Sequence, residues 1–255
     1  MIARKYIELI WYKALAELKA EAARAYIGFL WWVVEPLLYM AAFYIAFNSG
    51  VRRGGVPFLL FLLCGLVPWK WFASTLQHGS NAIKINSGLI QQVYIPKYVL
   101  PWIILVVNTI KFLIILGLLV IFLVLSGHGV GITWLALPMV IIVQFMVIAA
   151  LTSFFAALVP LFPDLKLLVD NGIIILMFLS GVFYNIETMP PRVVSFLRIN
   201  PMVEVIEGYR DIFLKGIWPD WFGMIWCVIF SMVVYTIAGA ILRKYDQYYV
   251  KQMIG

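Results

Sequence analysis

From Val99 to Leu125 the chain carries a single charged residue, Lys111, and from Ile132 to Val159 it carries none. Uncharged apolar runs of this length match the hydrocarbon core of a bilayer, about 30 Å thick and crossed by about 20 helical residues. No water reaches backbone N–H and C=O groups there, so a crossing segment must satisfy them internally, as a helix does. The rest of the chain agrees. It is 64% hydrophobic and 12% charged, far from the balance of a soluble domain. An all-α integral membrane protein is expected.

Six spans are predicted within one transmembrane domain covering 1–255. They run roughly over Phe29–Phe47, Pro57–Thr75, Tyr98 or Val99 to Leu125, Ile132–Val159, Leu167–Phe183 and Trp221–Leu242. Residues 1–28 form an amphipathic segment with Ile7, Trp11, Ala14, Leu15, Leu18 and Ala22 on one face. Its recurrent charges preclude a span or a signal peptide, so an interfacial helix is expected. Spans 1–5 occupy 29–184, span 6 occupies 220–242, and 243–255 form a basic tail. Trp69, Lys70 and Trp71 suggest an aromatic belt with a snorkelling lysine. Glu35, a third of the way into the first span, is a gate residue or a carboxylate paired near the headgroups.

Two polar segments interrupt the spans. Residues 77–101 are too polar to cross and too long for a turn, which suggests a short helix across a membrane face. Residues 185–219 read as a helical hairpin. Thr188 is the cap proposed for its first helix, Asn200 with Pro201 opens the second, and Gly216 ends it. Met202, Ile206, Tyr209 and Phe213 form an apolar stripe, and Glu207, Asp211 and Lys215 a charged one.

Lysine and arginine are unevenly distributed. With the N-terminus inside, eleven fall in inner segments and six in outer ones. The bias places both termini in the cytoplasm, the 77–101 helix inside and the hairpin outside. The net charge of +7 then reflects loops facing anionic lipid, not nucleic-acid binding.

No catalytic set is visible. His78 and His128 fall at opposite faces, Cys64 and Cys227 read as buried structural thiols, and no phosphate-binding loop, cofactor motif or metal-ligand spacing occurs. An ion-coupled carrier needs buried ionisable groups, yet Glu35, Lys111 and Asp170 sit in different spans at unmatched depths. That carrier, and a membrane-bound glycan- or lipid-modifying enzyme, are the alternatives to a conduit powered by another chain.

The segments IGFLWWVVEPLLYM at Ile27–Met40, LIQQVYIPKYVLP at Leu89–Pro101 and INPMVEVIEGYRDIFLKG at Ile199–Gly216, in this order, resemble the permease subunit of bacterial polysaccharide-exporting ABC transporters of the type-2 exporter class. The resemblance spans essentially the whole chain. It implies a channel-forming permease in the bacterial inner membrane that exports a lipid-linked polysaccharide, O-antigen foremost, with capsule and teichoic acid as the other members of the class. It further implies a permease homodimer with two ATPase subunits that carry ATP and Mg, and an undecaprenyl-pyrophosphate-linked glycan as substrate. Leu89, Ile90, Gln91, Gln92, Val93 and Tyr94 match the coupling helix, and Pro96 and Lys97 its exit. Glu204, Glu207 and Arg210 match the polar face of external gate helices. Sugars stack weakly and repeatedly on aromatic rings, so Trp31, Trp32, Tyr39, Phe43, Phe178 and Tyr184 are candidates for a channel lining or, alternatively, lipid anchors. Arg4, Lys5 and Arg24 would attract a pyrophosphate, or reflect only the charge bias.

Overall fold

The structure, a computed structural model, describes residues 2–24, 52–53, 56–86, 95–246 and 248–249, together with 30, 34, 38, 41 and 88. The predicted first span lies almost wholly outside the described residues. So do Trp31, Trp32, Glu35, Tyr39 and Phe43, and Leu89, Ile90, Gln91, Gln92, Val93 and Tyr94 of the predicted coupling helix.

The described chain is helical apart from a two-residue antiparallel ladder, Arg52–Arg53 (β1) with Val56–Pro57 (β2). The helices are α1 (Ile2–Arg24), α2 (Phe58–Gly79), the single turn α3 (Ala82–Ile85), α4 (Val99–Leu125), α5 (Leu137–Leu158), α6 (Leu165–Leu179), α7 (Pro191–Leu197), α8 (Pro201–Arg210) and α9 (Trp221–Lys244). A 3₁₀ turn at Ile132–Ala136 leads into α5. Among the described residues, four helical stretches are long and apolar enough to cross a membrane: Phe58–Gly79, Val99–Leu125, Ile132–Leu158 and Trp221–Lys244.

Three expectations are corrected. The predicted fifth span is the 15-residue α6, about 22 Å at 1.5 Å per residue. It ends four residues early because Ser180 Oγ donates to Leu176 O and Gly181 turns into the left-handed region at φ 69°. The tryptophans expected in a lipid belt are core residues: Trp69 and Trp71 are buried, and Trp71 stacks on Phe112 at 4.1 Å. They lie well inside α2, which continues to Gly79. Finally, α1, expected as an interfacial helix, runs beside the first half of α4. Tyr6 meets the Tyr98 ring at 6.3 Å, and Glu21 pairs with Lys111. That pair explains how α4 tolerates a cation among apolar residues.

Two cores organise the molecule. The larger joins α2, α4, α5 and α8. Near its middle, Gln144 Nε2 donates to Pro68 O and Tyr209 hydroxyl donates to Gln144 Oε1, both at 2.8 Å. This buried chain links three helices. The second core lies where α4 begins and α5 and α9 end. Ala14, Leu18, Ile83, Ile95, Val99, Ala157, Leu242 and Tyr249 meet there, and Tyr249 hydroxyl donates to Ala157 O at 2.8 Å. The segments whose charge predicted one common face therefore gather at one end of the bundle.

Tyr209→Phe strands Gln144 Oε1 in the core and should lower stability by roughly 1 kcal/mol. Denaturant titration in mixed micelles of Tyr209→Phe, Gln144→Leu and the double variant should give a combined loss smaller than the sum. Additive losses would mean that the two side chains act separately.

Candidate functional site

The hairpin between α6 and α9 is built by local rules. Asn185 Oδ1 accepts from Glu187 N at 2.9 Å and caps a 3₁₀ turn at Ile186–Thr188. Thr188, expected to cap α7, instead donates its hydroxyl back to Asn185 O, and α7 starts behind Pro190. Asn200 does cap α8: its Oδ1 accepts from Met202 N at 3.0 Å, and its Nδ2 donates to Ser180 Oγ at 2.8 Å. A π-helical turn at Asp211–Lys215 extends α8, and Gly216 ends it at φ 65°.

The predicted apolar stripe is buried, but so is the rest of α8. The helix sits among α2, α5 and α9, and it needs close approaches to fit. At Gly208 an added Cβ would stand 2.6 Å from Met224 Cε. Charge is therefore carried inside the protein, where it must be partnered. Arg210, 1% exposed, donates through Nη1 to Glu207 Oε1 at 2.8 Å and to Gly181 O at 2.9 Å. Its Nη2 donates to Val182 O at 2.8 Å, and Nε and Nη2 reach Phe61 O at 3.4 Å. The guanidinium also lies 3.6 Å from the centroid of the Phe61 ring, a cation–π geometry. At Gly65 a Cβ would stand 2.8 Å from Nη2, so a side chain there would crowd the fork. Arginine alone has enough donors in one plane for this set.

A second group of charges rings this centre. Lys215 reaches Glu187 at 2.9 Å, Asp211 at 3.0 Å and Glu207 at 3.6 Å. Arg198 reaches Asp220, the N-cap of α9, at 3.3 Å and Glu204 at 3.5 Å. The hydrogen bond from Lys215 holds the Glu187 carboxyl below its ordinary pKa despite partial burial. Burial pushes Glu204 and Asp211 up, against the pull of Arg198 and Lys215 respectively. Burial opposes the Lys215 charge, but Glu187 and Asp211 outweigh it and its pKa is raised.

Glu207 and Arg210 thus come together as a buried pair, Glu204 is buried with Arg198 as its partner, and the three form no exposed polar face. Lys97 lies at the other end of the bundle, buried and 3.1 Å from Asp246, with Pro96 half-buried beside it. The hairpin meets the far end: Phe213 packs on Trp134, ahead of α5, at 5.0 Å. Phe178 is 55% exposed with its ring 5.4 Å from Phe183, and Tyr184 packs half-buried on Ile186, Leu197 and Val203. Lys5 is exposed on α1, and the side chains of Arg4 and Arg24 lie outside the described residues. Phe61, Gly65 and Gln144 belong to the site's support and were not singled out from sequence. For Gln144 a signal existed, a lone amide within an uncharged span.

Arg210→Met takes the nearest cation from Glu207, leaving Lys215 at 3.6 Å, and strips the Gly181 and Val182 carbonyls of their donor, so it should destabilise by about 3–5 kcal/mol. Arg210→Lys should recover only part of this, read by the same micelle titration. Acid should loosen the rim. Because the folded Glu187 pKa is lowered, its contribution is complete above the ordinary carboxylate value of about 4.3 and is lost as pH falls through the lowered value. The Tm of Glu187→Gln should therefore fall less than that of the unaltered protein between pH 5 and pH 3.

Known proteins share this pattern. The sequence profile of the ABC-2 type transporter family matches residues 9–214. The chain is 31% identical over 233 residues to the O-antigen export system permease protein RfbA of Myxococcus xanthus, covering 89% of this chain and 88% of that protein. It is 26% identical over 224 residues to RfbA of Klebsiella pneumoniae, covering 88% and 86%. With the polysialic acid transport protein KpsM of Escherichia coli it shares 24% over 238 residues, covering 91% and 92%. The matched region runs from α1 through the hairpin and its buried arginine, and the chain belongs to the ABC-2 type transporter family of membrane proteins.

Proposed function

We propose that this chain is the channel-forming permease of an ABC exporter that moves a lipid-linked polysaccharide, O-antigen before capsule or teichoic acid, out of the bacterial cytoplasm. The observation that carries this reading is the likeness, over nearly nine-tenths of both chains, to an O-antigen export permease. In this reading the chain is the non-catalytic subunit. A separate ATPase holds ATP and Mg, two permeases pair around the conduit, and both termini face the cytoplasm. Six crossings follow if 29–47 and α6 complete the four long helical stretches.

The geometry favours a particular way for force to pass. The segment around 89–97 would seat on the ATPase. Its exit at Pro96 and Lys97 belongs to the second core, which packs on α1, α5 and α9. Pushing that end would move the helices as a group. At the outer end, α8 cannot slide past α2 without breaking the Arg210 set, at a cost of about 3–5 kcal/mol. The hairpin and α2 would therefore shift together, with Glu204, Glu207 and Arg210 holding the gate's shape. Glu35, Trp31, Trp32, Tyr39, Phe43, Phe178 and Tyr184 remain candidates for the wall, and Arg4, Lys5 and Arg24 for drawing in a pyrophosphate.

Replacing Gln91, Gln92 and Tyr94 by alanine should leave the permease folded and bound to detergent as before. In the reconstituted complex it should abolish glycan-dependent stimulation of ATP hydrolysis and export of the glycan. Undiminished stimulation would remove this segment from the coupling role. Glycan movement by the purified chain alone under a proton or sodium gradient would replace the proposal with a carrier.

A further inference from the structure

A cavity of about 560 Å³ opens between the start of α4, the end of α5 and the last turns of α9. Lys97, Tyr98, Ser153, Tyr235, Arg243 and Asp246 line it. Lys97 is tied to Asp246 at 3.1 Å, so the two acidic and basic heads nearly cancel. Arg243 is exposed, makes no ion pair with any described residue, and leaves the cup with one net positive charge. Two phenols stand at the rim, since Tyr98 and Tyr235 are both exposed over about two-fifths of their surface.

The same cleft continues toward the middle of the bundle. A second cavity of about 200 Å³, sharing Tyr235, is lined by Trp102, Phe145, Met146, Ala149 and Met232, with no charged side chain. Trp102 meets both neighbours edge-on, Tyr235 at 6.4 Å and Phe145 at 6.0 Å. A cationic, hydroxyl-bearing cup that leads into an apolar groove along the helix axes has the polarity of one kind of molecule, an amphiphile with an anionic head.

We infer that this cleft is a binding site for a resident anionic glycerophospholipid, its phosphate in the Arg243–Tyr98–Tyr235–Ser153 cup and an acyl chain along Trp102, Phe145 and Met232. The inward side of the cleft is closed by the packing of α5 on α9, the broadest helix contact among the described elements. Met232 and Tyr235, which line the cleft, are both exposed. A lipid held there would splint the junction of Lys97, Asp246 and Arg243, at the end of the bundle where the second core lies.

Native mass spectrometry of the delipidated full-length chain tests this with phosphatidylglycerol and phosphatidylcholine of identical chains, and with undecaprenyl pyrophosphate as a third probe. The unaltered chain should retain phosphatidylglycerol about fivefold better than phosphatidylcholine, the effect of one basic group near an anionic lipid. Arg243→Gln, at an exposed position, should erase the preference while still holding lipid. Met232→Trp, which fills the groove from its exposed rim, should lower retention of both phospholipids. Equal retention of the two by the unaltered chain, or an unchanged preference in Arg243→Gln, overturns the proposal. So does displacement of phosphatidylglycerol by undecaprenyl pyrophosphate that is lost in Arg243→Gln, because the cleft would then be a substrate site.

Discussion

The guanidinium of Arg210 decides how the hairpin half of this protein is arranged. A buried cation is costly unless its donors are used and its charge is balanced. Here the donors reach Glu207 and the carbonyls of Phe61, Gly181 and Val182, and the flat face rests on the Phe61 ring. These acceptors come from α2, from the turn after α6, and from α8 itself. The carbonyls of Gly181 and Val182 are available because α6 stops at Leu179 and the chain turns at Gly181. One side chain thus converts the unsatisfied backbone of a helix end into a joint between three elements.

The two ends of the molecule use different physics. The hairpin end depends on charge pairs and capping side chains, with Asn185, Asn200 and Asp220 each accepting from a backbone N–H. The opposite end depends on small and aliphatic side chains packed around Ile83, Val99 and Ala157, with Lys97–Asp246 and the Tyr249 hydroxyl at its margin. Between them the Pro68–Gln144–Tyr209 chain is the polar link through the apolar middle.

How much of this was legible in the sequence varies by element. The bounds of α4 and α9 followed almost directly from apolar run length, because a continuous run in lipid has only one economical backbone. The start of α8 was legible in Asn200–Pro201, a purely local signal. What could not be read was which faces become buried. Trp69 and Trp71 carry the composition of a lipid belt, but α2 extends two turns beyond them and α4 covers them. Glu204, Glu207 and Arg210 carry the spacing of a wet helix face, yet Glu204 faces Gly223, Arg210 faces Phe61 and Gly65, and Glu207 pairs with Arg210. Glycines at 65, 208 and 223 give no periodic signal, and their meaning appears only when a neighbour occupies the missing side chain's place.

The shortness of α6 has its own consequence. Its 15 residues cover about 22 Å, whereas the 27 residues of α4 cover roughly 40 Å. Leu167, Leu168, Ile174 and Ile175 are exposed along α6, so this short helix presents an oily surface of its own. Lipid tails touching it meet a lower wall than those touching α4. Membranes answer such mismatch by pinching, by tilting the helix, or by recruiting shorter chains. Wherever lipid meets α6, acyl-chain length becomes a variable to which it responds more strongly than α4 does.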